Sequence, residues 1–243
     1  NTGSLMAISG PESVAGAVRI PVAQLTDFVE QMFQAAGLSA QHAQTASAVL
    51  LNADIRGVWS HGIIRLPMYI QRVQEGVARA QPNIQIQSVG HAALSVDGDH
   101  GLGLVVAPAA MAAAVALAKQ TGIAIAGVKN SGHFGAGAYY LQQALEADCM
   151  GLVFTSASKA LPPWGAMAPF FGTSPFGFSA PTHPGEVFML DMAMSRTARG
   201  KLKFAAQRGE PVPLGYALDA QGKPTTDGAA AFEGIMLPFG EHK

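Results

Sequence analysis

The segment from Gly101 to Ala118 constrains the fold most strongly, because it contains no charged side chain. A run of this length approaches the ~18 apolar residues of a membrane-spanning helix, so it either crosses a bilayer or packs into a protein core. Pro108 interrupts the run, Asp97 and Lys119 flank it, and alanine and glycine supply most of its residues. Alanine forms helices readily but offers lipid little apolar surface. We therefore predict a buried, alanine-rich helix in a globular protein and no membrane span.

Strand and helix patterns alternate on both sides of this segment, and such alternation is typical of an α/β fold. The predicted strands are residues 84–89, 93–96, 122–128, 151–155, 176–180 and 187–190. The predicted helices in this part of the chain are the alanine-rich segment and residues 137–147 and 193–208.

The first third of the chain, by contrast, has only helical patterns. Two helices are predicted within residues 21–58, with Ser39 as the N-cap of the second. A third is predicted from about His61 to Val77, where Pro67 marks a kink or the start of a new turn.

These patterns predict two domains, a helical region over residues 1–80 and an α/β domain over residues 81–243. The last residues form a glycine-containing loop with no closing helix or strand after it. We therefore expect the chain to be truncated at its C-terminus.

The composition excludes several classes of partner. Of the 243 residues 49% are hydrophobic, and 15 basic against 16 acidic side chains leave a net charge of −1. Because no basic cluster could follow a phosphate backbone, we expect no nucleic-acid partner. Cys149 is the only cysteine, which excludes an intrachain disulfide and favours a reducing cytoplasm. The histidines lack the H-x-x-x-H or H-x-H spacing that holds a metal, so we predict no metal site.

A glycine-rich loop, Asn130-Ser131-Gly132-His133-Phe134-Gly135, follows the strand predicted at 122–128. Loops on a rigid scaffold often carry catalytic groups, and imidazole exchanges protons near neutral pH. Small and polar neighbours leave His133 open to a ligand. We predict a catalytic proton carrier here, and a histidine satisfied within its own loop is the alternative.

A second histidine lies in the stretch Ser60-His61-Gly62-Ile63-Ile64-Arg65. Helical spacing would place His61, Arg65 and Tyr69 on one face. Arginine binds a carboxylate through two parallel N–H bonds, so the pattern predicts a proton carrier beside a clamp for a small organic acid. A solvated helix face is the alternative.

The usual dinucleotide signature, G-x-G-x-x-G between a strand and a helix, is absent from the sequence. A carboxylate, Asp191, follows the apolar strand Phe188-Met189-Leu190. It could cap the helix predicted after it, orient a histidine, or hydrogen-bond a ligand.

Several motifs together resemble the malate/L-lactate dehydrogenase family. This group is unrelated to the Rossmann-fold dehydrogenases and includes sulfolactate and ureidoglycolate dehydrogenases, diketogulonate reductase and cyclic ketimine reductases. The motifs cover nearly all of the chain from about residue 20. They are Ser60-His61-Gly62 with Arg65, the Asn130–Gly135 loop, Pro163-Trp164-Gly165, Gly172-Thr173-Ser174-Pro175, Leu190-Asp191-Met192-Ala193, Ala198-Arg199-Gly200-Lys201, Pro224-Thr225-Thr226-Asp227 and Leu237–Lys243.

The resemblance implies a mixed-sheet, non-Rossmann α/β fold and an NAD(P)-dependent oxidoreductase that works as a homodimer. Its substrate would be a small 2-hydroxy or 2-oxo acid of the malate or lactate type. An NADPH-dependent reductase of cyclic imines, such as piperideine- or pyrroline-2-carboxylate, is the alternative. A silent relative that only binds a carboxylate or a dinucleotide is a third possibility, which the retained histidines disfavour.

The resemblance also implies roles for individual residues. His133 would be the acid/base, with His61 as its companion and Asp191 as a further catalytic residue, while Ser60, Arg65 and Tyr69 would bind the substrate carboxylate. Ser156 and Ser174 stand where the family often has asparagine. The residues expected to contact NAD or NADP are Thr155, Ser156, Ala157, Val187, Phe188, Met189, Leu190, Asp191, Met192, Ala193, His242 and Lys243.

Overall fold

The computed structural model describes residues 18–163, 165–183 and 185–240. The chain divides into two compact units. The first consists of residues 18–153 and 177–190, and the second contains the described residues of 154–176 and 191–240. The helical region before residue 80 lies in the same unit as the first sheet, and the functional division at residue 80 stays a prediction.

The first unit contains five helices among its described residues. They are α1 (Val22–Ala35), α2 (Ala40–Ile55), α3 (Leu66–Gln74), α4 (Gly103–Thr121) and α5 (Ala138–Glu146). Ser39 caps α2 as predicted, because its hydroxyl accepts the backbone N–H of His42 at 3.2 Å.

The helix predicted from His61 to Val77 is shorter than expected. Residues Trp59–His61 and Ile63–Arg65 form two single 3₁₀ turns, and the α-helix begins only at Leu66. Pro67 lies in the first helical turn, where its missing N–H costs no hydrogen bond. The proline therefore starts α3 and does not kink it.

Two three-stranded sheets follow in chain order. Their strands are β1 (Gln85–Gly90), β2 (Ala93–Gly101), β3 (Ile125–Ser131), β4 (Gly151–Phe154), β5 (Phe176–Pro181) and β6 (Val187–Met192). Strand β2 pairs antiparallel with β1 and parallel with β3. The mixed sheet confirms the predicted α/β class.

Strand β3 lies three residues later than the sequence pattern suggested. Gly122 ends α4 in the left-handed conformation, with φ 83°, so residues 122–124 cannot join the strand. The strand instead runs to Ser131 and includes Asn130. His133 consequently lies two residues beyond the end of a paired strand.

The described residues of the second unit form two helices, α6 (Arg199–Arg208) and α7 (Gly228–Glu233), and a small antiparallel sheet. The strands of this sheet are β7 (Ala217–Leu218), β8 (Pro224–Thr225) and β9 (Ile235–Met236). The helix predicted over 193–208 begins only at Arg199. Residues before it bond elsewhere, since Met194 donates its N–H to the Thr173 carbonyl at 2.8 Å and Ser195 forms a bridge with Pro238.

Helix α4 contains most of the uncharged, alanine-rich segment of the sequence. Its first half is buried, and its second half is mostly half-buried. The helix is long and apolar enough to cross a membrane, but core helices of soluble proteins can have the same length and composition. Within its most apolar 18 residues, 33% are buried. The absence of a membrane span therefore stays a prediction.

The main core of the first unit lies between α1, α2, α3 and the start of α4. Tyr69, Phe33, Leu50 and Leu104 are fully buried in it. Tyr69 is thus both a core residue and one of the predicted site residues.

Candidate active site

The predicted substrate residues come together within the first unit. They lie on the two 3₁₀ turns before α3, on α3 itself, and on the loop after β3.

The turn that carries His61 and Arg65 is held by a carboxylate on α2. Asp54 Oδ2 accepts the backbone N–H of Ile63 at 2.7 Å. Burial raises the pKa of Asp54, and the hydrogen bond from Ile63 partly offsets that rise. A Cβ on Gly62 would lie 2.0 Å from Asp54 Oδ1, so only glycine allows this approach. Arg65 closes the turn by donating from Nε to the Ser60 carbonyl at 2.8 Å.

His133 is fixed through one of its two ring nitrogens. The Tyr69 hydroxyl lies 2.6 Å from His133 Nδ1, and the Gly135 N–H donates to the same nitrogen at 3.3 Å. Because the Gly135 N–H is a donor, this network assigns Nδ1 as acceptor and places the proton of neutral His133 on Nε2. Nε2 is then the nitrogen left to exchange a proton with a ligand.

His61 stacks against His133. The ring centroids are 5.9 Å apart, and the ring planes differ by 18°. The hydroxyl of buried Ser60 lies 2.9 Å from His61 Nδ1 and orients the ring. The four side chains therefore form one chain of contacts from Ser60 through both histidines to Tyr69.

The surroundings favour neutral His133. Burial of its ring lowers its pKa from the ordinary 6.5 to about 4, and the positive charges of His61, Arg65 and Arg72 contribute. The residue is nevertheless exposed on one side, so solvent opposes part of this shift. Burial also raises the pKa of Tyr69, which keeps its hydroxyl protonated as the donor to Nδ1.

Two glycines let the His133 loop approach its neighbours. A Cβ on Gly103, the first residue of α4, would lie 2.4 Å from the Gly132 carbonyl and 2.6 Å from that of His133. Gly135 has φ 77°, which a side chain would strain. The preceding Asn130, with φ 50°, is tied by its amide to both oxygens of Asp97 at 3.0 and 3.1 Å.

A cavity of about 160 Å³ lies on the Tyr69 side of His133. Its polar lining includes Tyr69, Arg72, His100, Ser131 and His133. A cavity of roughly 150 Å³ holds one benzene molecule, so this space suits a small organic acid or part of one.

The remaining predicted residues lie on other segments, and their part in the site stays a prediction. Asp191 is exposed and belongs to the second unit, as do Thr155, Ser156, Ala157, Met192 and Ala193. His242 and Lys243 lie outside the described residues. Among the described residues, no group of three His, Cys, Asp or Glu side chains could hold a metal ion.

Two site residues escaped prediction. Asp54 is the only carboxylate of α2 and follows the apolar stretch Val49-Leu50-Leu51. An acidic residue so close to a buried apolar stretch was the sequence feature that could have identified it. Arg72 continues the spacing of Arg65 and Tyr69 along α3, and extending the pattern by one turn would have found it.

Comparison with known proteins gives a consistent result. A family model described as malate/L-lactate dehydrogenase matches residues 20–243. The malate/(S)-sulfolactate dehydrogenase of Methanothermus fervidus is 38% identical over 213 residues, which are 88% of this chain and 62% of that protein. The chain therefore spans less than two thirds of that relative's length.

Solved structures share the fold. The sulfolactate dehydrogenase of Methanocaldococcus jannaschii superimposes with a TM-score of 0.85 at 35% identity, over 91% of this chain and 64% of that one. The Δ1-piperideine-2-carboxylate reductase of Pseudomonas syringae pvar. tomato superimposes with a TM-score of 0.86 at 30% identity, over 93% and 68%.

Proposed function

Because this chain belongs to the malate/L-lactate dehydrogenase family, we propose that it is an NAD(P)-dependent oxidoreductase that interconverts small 2-hydroxy and 2-oxo acids. The observation that carries the proposal is the 2.6 Å contact between the Tyr69 hydroxyl and His133 Nδ1, beside Arg65 and Arg72. This arrangement places an oriented proton carrier, His133, next to two arginines that can bind the carboxylate of an organic acid. Relatives named malate, sulfolactate and ureidoglycolate dehydrogenases support the reaction class.

In this mechanism the chain supplies the proton and holds the substrate. When bound, NAD(P)H would supply the hydride that C2 of the 2-oxo acid receives. Protonated His133 carries a proton on each ring nitrogen. It gives the Nε2 proton to the carbonyl oxygen, which becomes a hydroxyl, and keeps the Nδ1 proton, which the Tyr69 oxygen accepts once its hydroxyl has turned. This Nδ1-protonated neutral form takes the proton back at Nε2 in the reverse direction. Arg65, tied to Ser60 through Nε, retains its terminal nitrogens for the substrate carboxylate.

Substrate binding would itself prepare the acid. Burial of the ring holds the pKa of His133 down in the free protein, and the positive charges of His61, Arg65 and Arg72 add to this effect. A bound carboxylate offsets those charges, so it raises the pKa of His133 and favours proton uptake. The reducing direction therefore couples acid binding to protonation.

The residues assigned to the cofactor fit a dinucleotide in chemical character. Ser156 and Ala157 are exposed and offer a hydroxyl and backbone groups, and Gly172 admits this segment because a Cβ there would meet the Ala157 carbonyl at 2.3 Å. On β6, Val187 and Phe188 expose apolar surface that suits a planar ring. We propose that residues 155–157, 187–193, His242 and Lys243 hold NAD or NADP, with Asp191 near the nicotinamide end.

The second candidate is a cyclic imine reductase. It is favoured by the similarity to the piperideine-2-carboxylate reductase structure. The roles of the residues would be the same, except that His133 would protonate the ring nitrogen of the imine and not a carbonyl oxygen.

The deciding experiment follows NADH and NADPH absorbance with the full-length protein and a panel of 2-oxo acids and both cyclic imines. Oxidation with a 2-oxo acid supports the dehydrogenase proposal and identifies the cofactor. Oxidation only with an imine moves the protein to the second candidate. Tight NADPH binding without any turnover would instead indicate a silent binder.

We also propose a cytoplasmic homodimer. Large apolar side chains are exposed on β3 and β4, including Ile125, Leu152 and Phe154, and a second subunit could cover some of them. The single cysteine, Cys149, suits a reducing compartment. Light scattering of the full-length protein and fractionation of cells test the two statements separately.

A further inference from the structure

A second arginine lies on the same face of α3 as the predicted carboxylate clamp. Arg65, Tyr69 and Arg72 follow one another at spacings of four and three residues, which places them on one helical stripe. Tyr69, in the middle, is the residue that holds His133. The stripe thus offers a cation, the tyrosine that holds the proton carrier, and a second cation, in that order.

Arg72 reaches the cavity beside His133 and has no counter-ion there. It is half-buried and lines the 160 Å³ space together with His100, Ser131 and His133. Within residues 18–163, 165–183 and 185–240, no carboxylate lies at ion-pair distance from it. Nearby cations are matched, since Arg79 pairs with Asp99 at 3.3 Å and Lys129 with Asp97 at 3.4 Å.

An unpaired guanidinium at a polar cavity favours an anion. Removing a charge from water is costly unless a partner compensates it, and an acidic ligand would supply that partner. The influence of Arg72 on the pKa of His133 shows that its positive charge is felt at the site of proton transfer. Arg65 lies seven residues away, about 10 Å along the helix, so each arginine can meet a different end of a ligand.

We propose that Arg72 determines substrate specificity by binding a second acidic group of the substrate, a carboxylate or a sulfonate, in this cavity. The inference rests on the proposed function and makes it more specific. The C1 carboxylate contacts Arg65, the reacting carbonyl lies at His133, and the distal acid contacts Arg72. The enzyme then prefers dianionic 2-oxo acids to monoanionic ones.

The kinetic test compares two dianions, oxaloacetate and 3-sulfopyruvate, with two monoanions, pyruvate and 2-oxobutyrate. Arg72→Gln should lower kcat/KM for the dianions by about 10- to 100-fold, mainly through KM, because it removes a charged hydrogen bond. The monoanions should change less than about threefold, and Arg72→Lys should recover part of the loss. Arg19→Gln, on an exposed segment, is the matched control.

A binding test needs no turnover. Calorimetry with succinate and butyrate compares a dianion and a monoanion of equal carbon number. Wild-type protein should bind succinate more tightly, and Arg72→Gln should remove the difference.

The outcomes separate the two proposals. Equal losses for all four oxo acids, or equal binding of succinate and butyrate by wild type, would overturn the role of Arg72 while leaving the dehydrogenase proposal intact. Absence of turnover with every oxo acid, together with Arg72-dependent succinate binding, would overturn the proposed function and support the anion site. The ratio of kcat/KM for oxaloacetate to that for 3-sulfopyruvate then shows whether a carboxylate or a sulfonate is preferred as the distal acid.

Discussion

Replacing Tyr69 by Phe removes one oxygen from the centre of the candidate site. The side chain is fully buried, so the phenylalanine ring keeps the core contacts while the 2.6 Å bond to His133 Nδ1 disappears. The Gly135 N–H, at 3.3 Å, is then the one donor that the described structure leaves on Nδ1. We expect His133 to lose its fixed tautomer and orientation.

The size of the effect follows from the bond that is lost. Leaving a buried acceptor without its partner costs about 1–3 kcal/mol, and each ~1.4 kcal/mol corresponds to a factor of ten in rate. If that energy orients His133 for proton transfer, kcat falls roughly 5- to 100-fold, while KM for the acid changes little because Arg65 is untouched. Stability should fall by a similar 1–3 kcal/mol at most.

Steady-state kinetics with the preferred oxo acid measure the first effect, and urea unfolding measures the second. Nitrogen NMR of the His133 imidazole reports the tautomer directly. Tyr139→Phe, the same chemical change on the neighbouring helix α5, is the control. A Tyr69→Phe protein with wild-type kcat and an Nε2-protonated His133 would refute the assigned role of the hydroxyl.

Four further predictions concern the same site. His133→Ala should lower turnover about 10²- to 10⁴-fold and leave cofactor affinity, measured by fluorescence titration, within a few fold; unchanged turnover would exclude His133 as the acid/base. Because the pKa of free His133 is lowered to about 4, kcat/KM for hydroxy-acid oxidation should stay nearly flat from pH 8 to 6 and decline only toward pH 4; a break near pH 6.5 would contradict this. The depressed pKa also means that the unfolded chain takes up the proton first, so stability from this group is complete above pH 6.5 and is lost between pH 6.5 and about 4. As the pH is lowered from 6.5 to 4, the urea concentration at the midpoint of unfolding should therefore fall less for His133→Gln than for the wild type. Gly62→Ala should cost about 1–3 kcal/mol of stability, since its Cβ would lie 2.0 Å from Asp54 Oδ1 and break the bond to Ile63; an unchanged midpoint would show that the turn can adapt.

The sequence predicted those parts of the site that depend on local pattern. Ser39 was recognised as a cap because an N-cap hydroxyl acts within one helical turn. The α/β class followed from the alternation of strands and helices, and α5 lies within one residue of its predicted ends.

Contacts between distant segments were beyond such reasoning. The Tyr69 hydroxyl meets a histidine 64 residues further along the chain, and no spacing rule links the two. The helical spacing of His61, Arg65 and Tyr69 correctly indicated the helix α3. It was wrong for the segment before Leu66, which forms 3₁₀ turns. Asp54 imposes two 3₁₀ turns there by binding the Ile63 N–H, a tertiary interaction that local propensity does not contain.

Tyr69 belongs at once to the core of the first unit and to the proton-transfer pair. Its ring packs among the residues of α1, α2 and α4, while its hydroxyl fixes His133. A cavity opened anywhere in that core shifts a group that must stay within hydrogen-bonding distance of an imidazole. Heat inactivation should therefore coincide with global melting, and attempts to evolve this protein in the laboratory will find that core positions far from the cavity behave as activity determinants.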